Sequence, residues 1–425
     1  MKEIEKDITR PIFLTGKRYY FIVGILLLII GFAGFAYFIQ IRYGLGVTGM
    51  NKPIFWGIYI TNFVFFIGIS HAGTLISAIL RITGAEWRRP ITRMAEAITV
   101  FALFLGGANI IIDMGRPDKL LNLLKYGRIQ SPILWDVIAI SIYLTASITY
   151  LYLPLIPDIA LLRDRLKNVS SWRRKLYKIL SIGWRGTEKQ KKRLDKAIGI
   201  MAILIIPIAV SVHTVVSWIF GMTLQPMWHS TIFGPYFVIG AIFTGIASIL
   251  IVMALMRKLF HFEKYITEKH FNNLGLLLLV FVLLWFYFTL SEYLTTFYGN
   301  EPAHMSVFES KFFGEFSKVF WAMILFCFVI PFLILVRKKT RTIAGTVVAA
   351  ISVNLGMWLE RFTIVVPTLT RPRLPYEFGI YHPTWVEWSI TLGCFAIFVL
   401  SYAIFSKLFP VISVWEVEEA KNLEG

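Results

Sequence analysis

The sequence predicts an all-α polytopic membrane protein with about ten transmembrane helices. Two observations lead to this fold class. The 425-residue chain is 57% hydrophobic and has a mean hydropathy of +0.67, which is not the composition of a water-soluble protein. Its apolar runs are about 18 residues long or longer, and they are continuous rather than alternating. Continuous runs indicate membrane-spanning helices and exclude a β-barrel.

Ten segments are long enough to cross a bilayer, and we expect them to form one integral membrane domain over residues 1–425. The expected arrangement is two four-helix bundles with one flanking helix at each end. Helices 2–5 (about 54–221) would form the first bundle and helices 6–9 (about 231–366) the second. This division uses a faint similarity between Gly68–Arg81 and Thr244–Arg257. The predicted spans are 19–39, 54–81, 90–112, 131–155, 197–221, 231–257, 270–297, 312–336, 342–366 and 384–408.

The positive charges between the spans predict the orientation. Of the 43 Lys and Arg residues, 32 lie at the two termini or in the even-numbered loops, and 10 lie in the odd-numbered loops. Because Lys and Arg accumulate on the cytoplasmic side, both termini are predicted to be cytoplasmic, in a cell's inner (cytoplasmic) membrane. The net charge of +18 is then explained by topology and by membrane lipid, and no nucleic-acid partner is expected.

The longest basic loop, residues 163–196, interleaves Lys and Arg with large apolar side chains. This pattern is typical of an amphipathic helix that lies on anionic lipid. A docking surface for a partner protein is the alternative.

Neither the N-terminus nor the cysteines indicate processing or a bound cluster. The stretch before Tyr19 is too polar for a signal peptide, so the first helix is expected to be retained. Cys327 and Cys394 each lie in an apolar run and offer neither a disulfide framework nor a ligand set. The chain is therefore expected to bind no iron–sulfur cluster of its own.

The segment 52–90 is the most informative stretch, because its uncharged part contains a single imidazole, His71. At helical spacing, Gly57, Gly68 and Ala78 share a face with His71, and such small residues let another helix or a flat ligand approach closely. A histidine that loses its water on membrane insertion is a functional hypothesis by default. A histidine hydrogen-bonded to a neighbouring helix is the alternative.

Three polar residues lie near the predicted outer ends of helices 3 and 4. Asp113 and Arg116 follow helix 3, and Asp136 lies about a turn inside helix 4. Turn chemistry at Gly115–Pro117 explains part of this pattern, but it does not explain a carboxylate inside an apolar run. We therefore expect Asp113, Arg116 and Asp136 to hold a polar head group, with the aspartates taking protons and the arginine fixing the geometry.

Further ionisable residues lie inside the spans. Glu96 and His71 are expected at mid-depth or toward the inner side, and His213 and Glu292 toward the outer side, as members of a proton path. A hydrogen bond to a neighbouring Ser or Tyr is the alternative for Glu292. Haem ligation by His71 and His213 is disfavoured, because their depths look mismatched and neither helix carries a second histidine.

Six motifs together resemble a known family, the NrfD/PsrC-like (polysulfide reductase NrfD) membrane subunits. The similarity is to the ten-helix branch that includes the C subunit of alternative complex III and the membrane subunit DsrP. It covers most of the chain. The motifs are WGIYITNFVFFIGISHAGTLISAILR (56–81), RMAEAIT (93–99), MGRP (114–117), SPILWD (131–136), WHSTIFGPYF (228–237) and NLGMWLERF (354–362).

The resemblance implies two four-helix bundles, no bound haem or iron–sulfur centre, and a site for quinone, such as menaquinone, near the outer face. It also implies an extrinsic ferredoxin-like iron–sulfur subunit on that face, with further molybdopterin or multihaem redox subunits. The histidine of the IGISHAG motif is associated with the quinone and proton region, which points to His71. This chain departs from many relatives in carrying Asp113, instead of a histidine, before GRP.

On this interpretation the protein is a quinone-binding subunit of a respiratory complex, with quinone contacts from His71, Asp113, Arg116 and Asp136. A secondary transporter is the competing class, since it too explains intramembrane Asp, Glu and His residues. Transporters often have short helices broken by Gly or Pro in both halves of the chain, and no such pairing is found here. An inert scaffold explains the hydrophobicity but not the buried ionisable residues.

Overall fold

The computed structural model describes residues 3–13, 15–165, 170–373 and 378–424. Ten helical segments of it are long and apolar enough to cross a membrane, which confirms the ten predicted spans. The described residues form no β-strand. The spanning segments are α2 (Lys17–Tyr43), α3 and α4 (together Ile58–Ile82), α5 (Thr92–Asp113), α7 (Pro132–Arg165), α9 (Glu188–Met222), α10 (Phe233–Phe260), α11 (Glu268–Gly299), α13 and α14 (together Ser317–Val336), α15 (Ile343–Thr370) and α16 (Trp385–Leu408).

The described part of the chain has five further α-helices, between the spans or at the termini. They are α1 (Glu3–Phe13), α6 (Leu120–Tyr126), α8 (Ser171–Leu180), α12 (Pro302–Phe312) and α17 (Val414–Glu424). Helix α8 lies in the predicted basic loop, of which residues 166–169 lie outside the described residues. The association of this loop with lipid stays a prediction.

The spanning helices pack as two neighbouring sets with a flanking pair. Helices α3, α4, α5, α7 and α9 contact one another, and α10, α11, α13, α14 and α15 do the same. The flanking helices α2 and α16 pack against each other, where a side chain at Gly393 would collide with Ala33. The two sets also touch through α3, α4, α10 and α15. The description as two bundles therefore remains an interpretation of these contacts.

We name the two ends of the molecule by the predicted topology. The predicted outer end carries the carboxyl end of α5 at Asp113, and the predicted inner end carries its amino end at Thr92. The side of the membrane on which each end lies remains a prediction.

The second span is interrupted in its middle at Ser70, between α3 (Ile58–Ile69) and α4 (His71–Ile82). The hydroxyl of Thr99 on α5 bridges the interruption. It donates to the Ser70 carbonyl (2.6 Å) and accepts from the Gly73 N–H (3.0 Å). A side chain at Gly245 of α10 would meet the backbone next to His71, so α10 packs directly on the interruption. His71 thus begins a new helix at the centre of the molecule.

The C-terminal segment closes the predicted inner end. Arg93 and Asp158, each 1% exposed, form a buried ion pair there. Arg93 also donates to the Pro410 carbonyl (3.2 Å) and the Ser413 hydroxyl (3.1 Å), while Asp158 accepts from the Val414 N–H (3.0 Å). A buried carboxylate at the first turn of α17 satisfies its free N–H groups, so the ion pair anchors that helix.

Candidate functional site

A large cavity of about 1230 Å³ lies at the predicted outer end. Its wall is formed by the loop between α2 and α3, by the loop after α9 and by the residues after α15. Most of these side chains are apolar, which suits a flat hydrophobic ligand with a few polar atoms. The lining residues are Leu45, Met50, Asn51, Lys52, Pro53, Ile54, Phe55, Thr223, Leu224, Gln225, Pro372 and Arg373.

Gln225 is a polar group on this wall with an unused acceptor. Its side-chain oxygen Oε1 is buried and has no hydrogen-bond partner among the described residues. A buried polar atom without a partner is costly, so such an atom commonly bonds a water or a ligand. Gln225 can therefore accept a hydrogen bond from a hydroxyl group in the cavity.

Asp113 ends α5 next to this cavity, although it does not line it. A side chain at Gly115 would collide with Leu45, a lining residue, so the turn after Asp113 packs directly behind the wall. The position of the turn is held by Gln40, which donates to the Ile112 carbonyl (2.9 Å) and accepts from the Tyr59 hydroxyl (2.6 Å). The Oδ1 atom of Asp113 is buried without a partner among the described residues.

Glu387 is a buried carboxylate at this end that the sequence reasoning missed. It accepts from the Gly49 N–H (2.7 Å), the Thr384 N–H (2.9 Å) and the Tyr381 hydroxyl (2.6 Å). Tyr381 in turn accepts from the Ile58 N–H (2.8 Å), and burial together with the Glu387 charge raises the pKa of its hydroxyl. The pattern Thr-x-x-Glu at 384–387, a capping box, was the available sign. Glu387 joins the α2–α3 loop to α16.

Arg116 bonds neither Asp113 nor Asp136, the two aspartates with which it was predicted to hold a head group. The Arg116 side chain is 67% exposed and binds Asp118 through two hydrogen bonds of 2.9 Å, which hold the pKa of Asp118 below its usual value. Asp136 is buried, and its Oδ1 has no partner among the described residues. The arginine is therefore engaged with its own loop rather than with the two predicted aspartates.

His71 and His213 lie side by side, with ring centroids 3.8 Å apart. The expectation of mismatched depths was therefore wrong, because residue counts along tilted and interrupted helices do not fix relative depth. The His71 Nε2 atom lies 3.1 Å from the Ala209 carbonyl, while neither ring nitrogen of His213 has a partner among the described residues. Rings this close leave no space for an iron between them.

His71 and Asp113 are far apart. Thr99 bonds the carbonyl of Ser70, the residue before His71, and lies 14 residues before Asp113 on α5. At 1.5 Å per residue this is a rise of about 21 Å. One quinone ring would not span this distance, so we do not expect it to contact both side chains; the assignment of His71 to the quinone site stays a prediction.

Glu96 lies in the inner half of the first set of helices, where it accepts from the Ser77 hydroxyl at 2.8 Å. The Ser77 hydroxyl is 3.3 Å from the Tyr150 hydroxyl. Glu96 is buried, so these hydroxyl groups replace the water that a surface carboxylate would bind.

Helix α7 carries a row of buried polar residues along most of its length, which we call its polar stripe. Asp136, Tyr143, Ser147, Tyr150 and Asp158 are all buried. Their spacing of seven, four, three and eight residues places them on one face of a helix. The sequence reasoning used only the first of them, because Tyr and Ser in an apolar span resemble ordinary packing residues. Their common helical periodicity was the signal that could have identified the others.

Glu292 lies in the second set of helices and accepts from the Ser230 hydroxyl at 2.6 Å. The hydrogen bond to a neighbouring Ser, the predicted alternative, is therefore present. A second buried pair, Glu360 and Arg361, has its charges 3.0 Å apart. Within the described ranges, no three His, Cys, Asp or Glu side chains are grouped as a metal site requires.

Comparison with known proteins finds one family over most of the chain. The family model described as "Polysulphide reductase, NrfD" matches residues 46–373.

Three relatives align over nearly their whole length. The C subunit of the selenate reductase of Mesobacillus selenatarsenatis is 24% identical over 93% of this chain and 95% of its own. The putative C membrane subunit of a dimethyl sulfoxide reductase of Halobacterium salinarum is 26% identical over 88% of this chain and 86% of its own. The Hdr-like menaquinol oxidoreductase integral membrane subunit of Archaeoglobus fulgidus is 24% identical over 95% of this chain and 96% of its own. This chain is thus similar to membrane subunits of reductases and oxidoreductases.

Proposed function

The chain belongs to the polysulphide reductase NrfD family, and from this membership we propose that it is the quinone-binding membrane subunit of a respiratory oxidoreductase complex. It would exchange electrons between the quinone pool and an extrinsic iron–sulfur subunit. The name of the Archaeoglobus relative, a menaquinol oxidoreductase subunit, supports menaquinone as the diffusible substrate. The chain itself supplies binding, orientation and proton exchange.

The observation that carries this proposal is the cavity of about 1230 Å³ at the predicted outer end. Its volume exceeds the upper range of about 1,000 Å³ for small-molecule pockets, so it has room for a quinone ring and part of an isoprenoid tail. Its apolar wall suits the ring and the tail, and Gln225 offers an acceptor for a quinol hydroxyl.

Asp113 is the proposed proton acceptor beside the cavity. Its Oδ1 is buried without a described partner, and the turn at Gly115 separates it from Leu45 on the wall. A carboxylate behind the wall can receive, through an intervening polar group or water, the proton that a quinol hydroxyl loses when its electrons leave. Arg116 has no direct role in this proposal, because it is exposed and engaged with Asp118.

The interior of the first set of helices is the proposed route for protons between the ends. It would use the polar stripe of α7, with Asp136 at the outer end and Glu96 with Tyr150 toward the inner end. His71 and His213 lie beside the stripe at mid-depth, as the 5.8 Å separation of the His71 and Tyr143 rings indicates. Buried polar atoms without partners, such as the Ser147 hydroxyl, are the places where water would complete the route.

The remaining parts of the proposal concern the surroundings of the subunit. We expect both termini in the cytoplasm of a cell whose inner membrane holds the complex, and we expect the ferredoxin-like iron–sulfur subunit to bind the predicted outer end. That arrangement brings the partner's electron acceptor close to the large cavity. Molybdopterin or multihaem subunits would then complete the complex.

A secondary transporter gains one argument from the interruption of the second span at Ser70, since transporters bind substrates at broken helices. Yet Thr99 satisfies the backbone at this point and Gly245 packs against it. The interruption is thus tightly packed, which favours the quinone proposal over transport.

Binding of a menaquinol-analogue inhibitor to the purified protein, followed by fluorescence quenching, tests the proposal. We expect the wild type to bind the inhibitor saturably. The Asp113→Asn variant should bind it more weakly, whereas His71→Ala should change the dissociation constant by no more than about twofold, because His71 is remote from the cavity. Absence of saturable binding by the folded protein, with or without its partner subunit, would contradict it.

A further inference from the structure

A second group of buried ionisable residues lies beside the loop that follows α9, which also lines the large cavity. Its centre is Lys311 on α12, which is outside the membrane-spanning segments but only 3% exposed. The Lys311 Nζ atom is 3.5 Å from the Tyr293 hydroxyl and 5.5 Å from the centre of that ring. An amine buried to this degree is unusual, because burial removes the water that stabilises its charge.

Lys311 and Glu292 share a small cavity of about 20 Å³. This volume fits one water molecule, and the polar groups on its wall are sufficient to bind it. The lining residues are Met227, Trp228, Phe233, Tyr236, Glu292, Tyr293, Lys311, Thr363 and Ile364. A water at this position can join the Lys311 amine to the Glu292 carboxylate.

One segment of chain, Thr223–Ser230, lines both cavities. Its first three residues, among them Gln225, form part of the wall of the large cavity. Trp228 lines the small one, and Ser230 donates to Glu292 at 2.6 Å. The same loop thus contributes residues to the walls of both cavities.

Charged and titratable groups from every neighbouring element face this cluster. Helix α11 contributes Glu292 and Tyr293, α10 contributes Tyr236, and α15 contributes the Glu360–Arg361 ion pair. His229 of the loop acts on Glu292 electrostatically. When the two carboxylates, the Lys311 amine and the Arg361 guanidinium are all ionised, their charges sum to zero. A proton transferred to the cluster therefore gives it a net positive charge, which is distributed over these neighbouring groups.

We propose that Glu292 and Lys311 form a proton-exchange site that serves the large cavity from the second set of helices. This inference rests on the proposed function, because its proton donor is the quinol in that cavity. When the quinol gives two electrons to the partner's iron–sulfur centres, it loses two protons. One goes to Asp113, and the other goes by way of the Thr223–Ser230 loop to the Glu292–Lys311 pair, whose shared cavity has room for a connecting water.

The chemistry of Lys311 fits such a role. Burial lowers the pKa of the Lys311 amine to about 8, and the neighbouring carboxylates oppose that shift only in part. An amine that titrates close to neutral pH can hold or release a proton during turnover. A surface lysine, with a pKa near 10.4, releases its proton far more reluctantly.

Isothermal titration calorimetry tests the inference, with the full-length protein and a hydroxyquinoline N-oxide analogue of menaquinol as the probe. Titration in two buffers of different ionisation enthalpy gives the number of protons exchanged per bound probe. In the wild type this number should change between pH 7 and pH 9. Lys311→Met and Glu292→Gln should each remove about half or more of that change. The control Lys318→Met, at an exposed lysine on α13, should leave it intact.

The outcomes separate this inference from the function on which it rests. Probe binding with the same proton exchange in wild type and Lys311→Met would overturn the inference and leave the quinone site standing. Failure of the wild type to bind the probe would overturn both. Ser230→Ala decides the question if Glu292→Gln does not fold. It removes the 2.6 Å hydrogen bond while keeping the carboxylate, and it should shift the pH at which the change occurs.

Discussion

Replacing Thr99 by Val removes the hydroxyl that bridges the interruption in the second span, at almost unchanged volume. The Gly73 N–H, which donates to this hydroxyl at 3.0 Å, is then left buried without its partner. Such a loss costs about 1–3 kcal/mol. The Ser70 carbonyl loses its 2.6 Å bond but keeps the Tyr143 hydroxyl at 3.2 Å, so it adds at most about 1 kcal/mol. The variant should therefore be less stable by about 1–4 kcal/mol.

Reversible unfolding of the protein in mixed micelles of detergent and sodium dodecyl sulfate measures this difference. Thr145→Val is a matched control, because Thr145 is exposed on α7 and donates only to the carbonyl of Ser141 in its own helix. The control should change the free energy of unfolding by less than about 0.5 kcal/mol. Equal stability of the two variants would refute the conclusion that Thr99 holds the interruption together.

Three further predictions follow from the polar groups at the two ends. Asp113→Asn should weaken menaquinol-analogue binding about tenfold or more at neutral pH, as measured by fluorescence quenching, because the amide cannot take the hydroxyl proton; unchanged binding would remove Asp113 from the site. Arg93→Leu should destabilise the protein by about 3–5 kcal/mol in the same unfolding assay, since it leaves Asp158 buried and unpaired, and the double variant with Asp158→Leu should recover part of that loss. Because the folded-state pKa of Lys311 is lowered from 10.5 to about 8, the unfolded chain binds more protons between these values, so stability should rise with pH across this window and the rise should vanish in Lys311→Met.

The spans were predictable because membrane insertion imposes a simple rule on the sequence. A helix that satisfies its own backbone must supply about 20 apolar residues, and ten such runs are visible in the chain. The ends of the helices were less predictable where a helix continues into water. Helix α9 begins at Glu188, well before the predicted start at 197, because its first turns are polar and are held by a capping box at Thr187.

The interruption at Ser70 was not predictable from the second span alone. Its cause lies on other helices, since Thr99 supplies the bridging hydroxyl and Gly245 allows the close approach. The dependence on other helices also explains why the sequence did not predict that His213 lies at the same depth as His71. Position along a helix fixes a face and a rise, but the tilt and mutual offset of two helices depend on packing that no single segment encodes.

The candidate site shows the same division between local and long-range information. Residue type and apolar context correctly pointed to burial of His71, Glu96, Asp136 and Glu292. Which of these side chains lie together was not predictable. Arg116 bonds Asp118 in its own loop, and Lys311 reaches the interior from a helix that lies between two spans. A lysine in a loop is ordinarily solvated, so nothing in its local sequence distinguished Lys311 from its neighbours.

Photoaffinity labelling with an azido-menaquinone, followed by peptide mapping, tests the central claim most directly. Most of the residues that line the large cavity lie within 45–55 and 223–225, so label should appear in these two stretches and be displaced by excess menaquinone. Leu45→Trp, which narrows the cavity, should reduce the labelling. Displaceable label confined to the lipid-facing surface of α2 or α11, with none in the two stretches, would contradict the proposal that this cavity binds quinone.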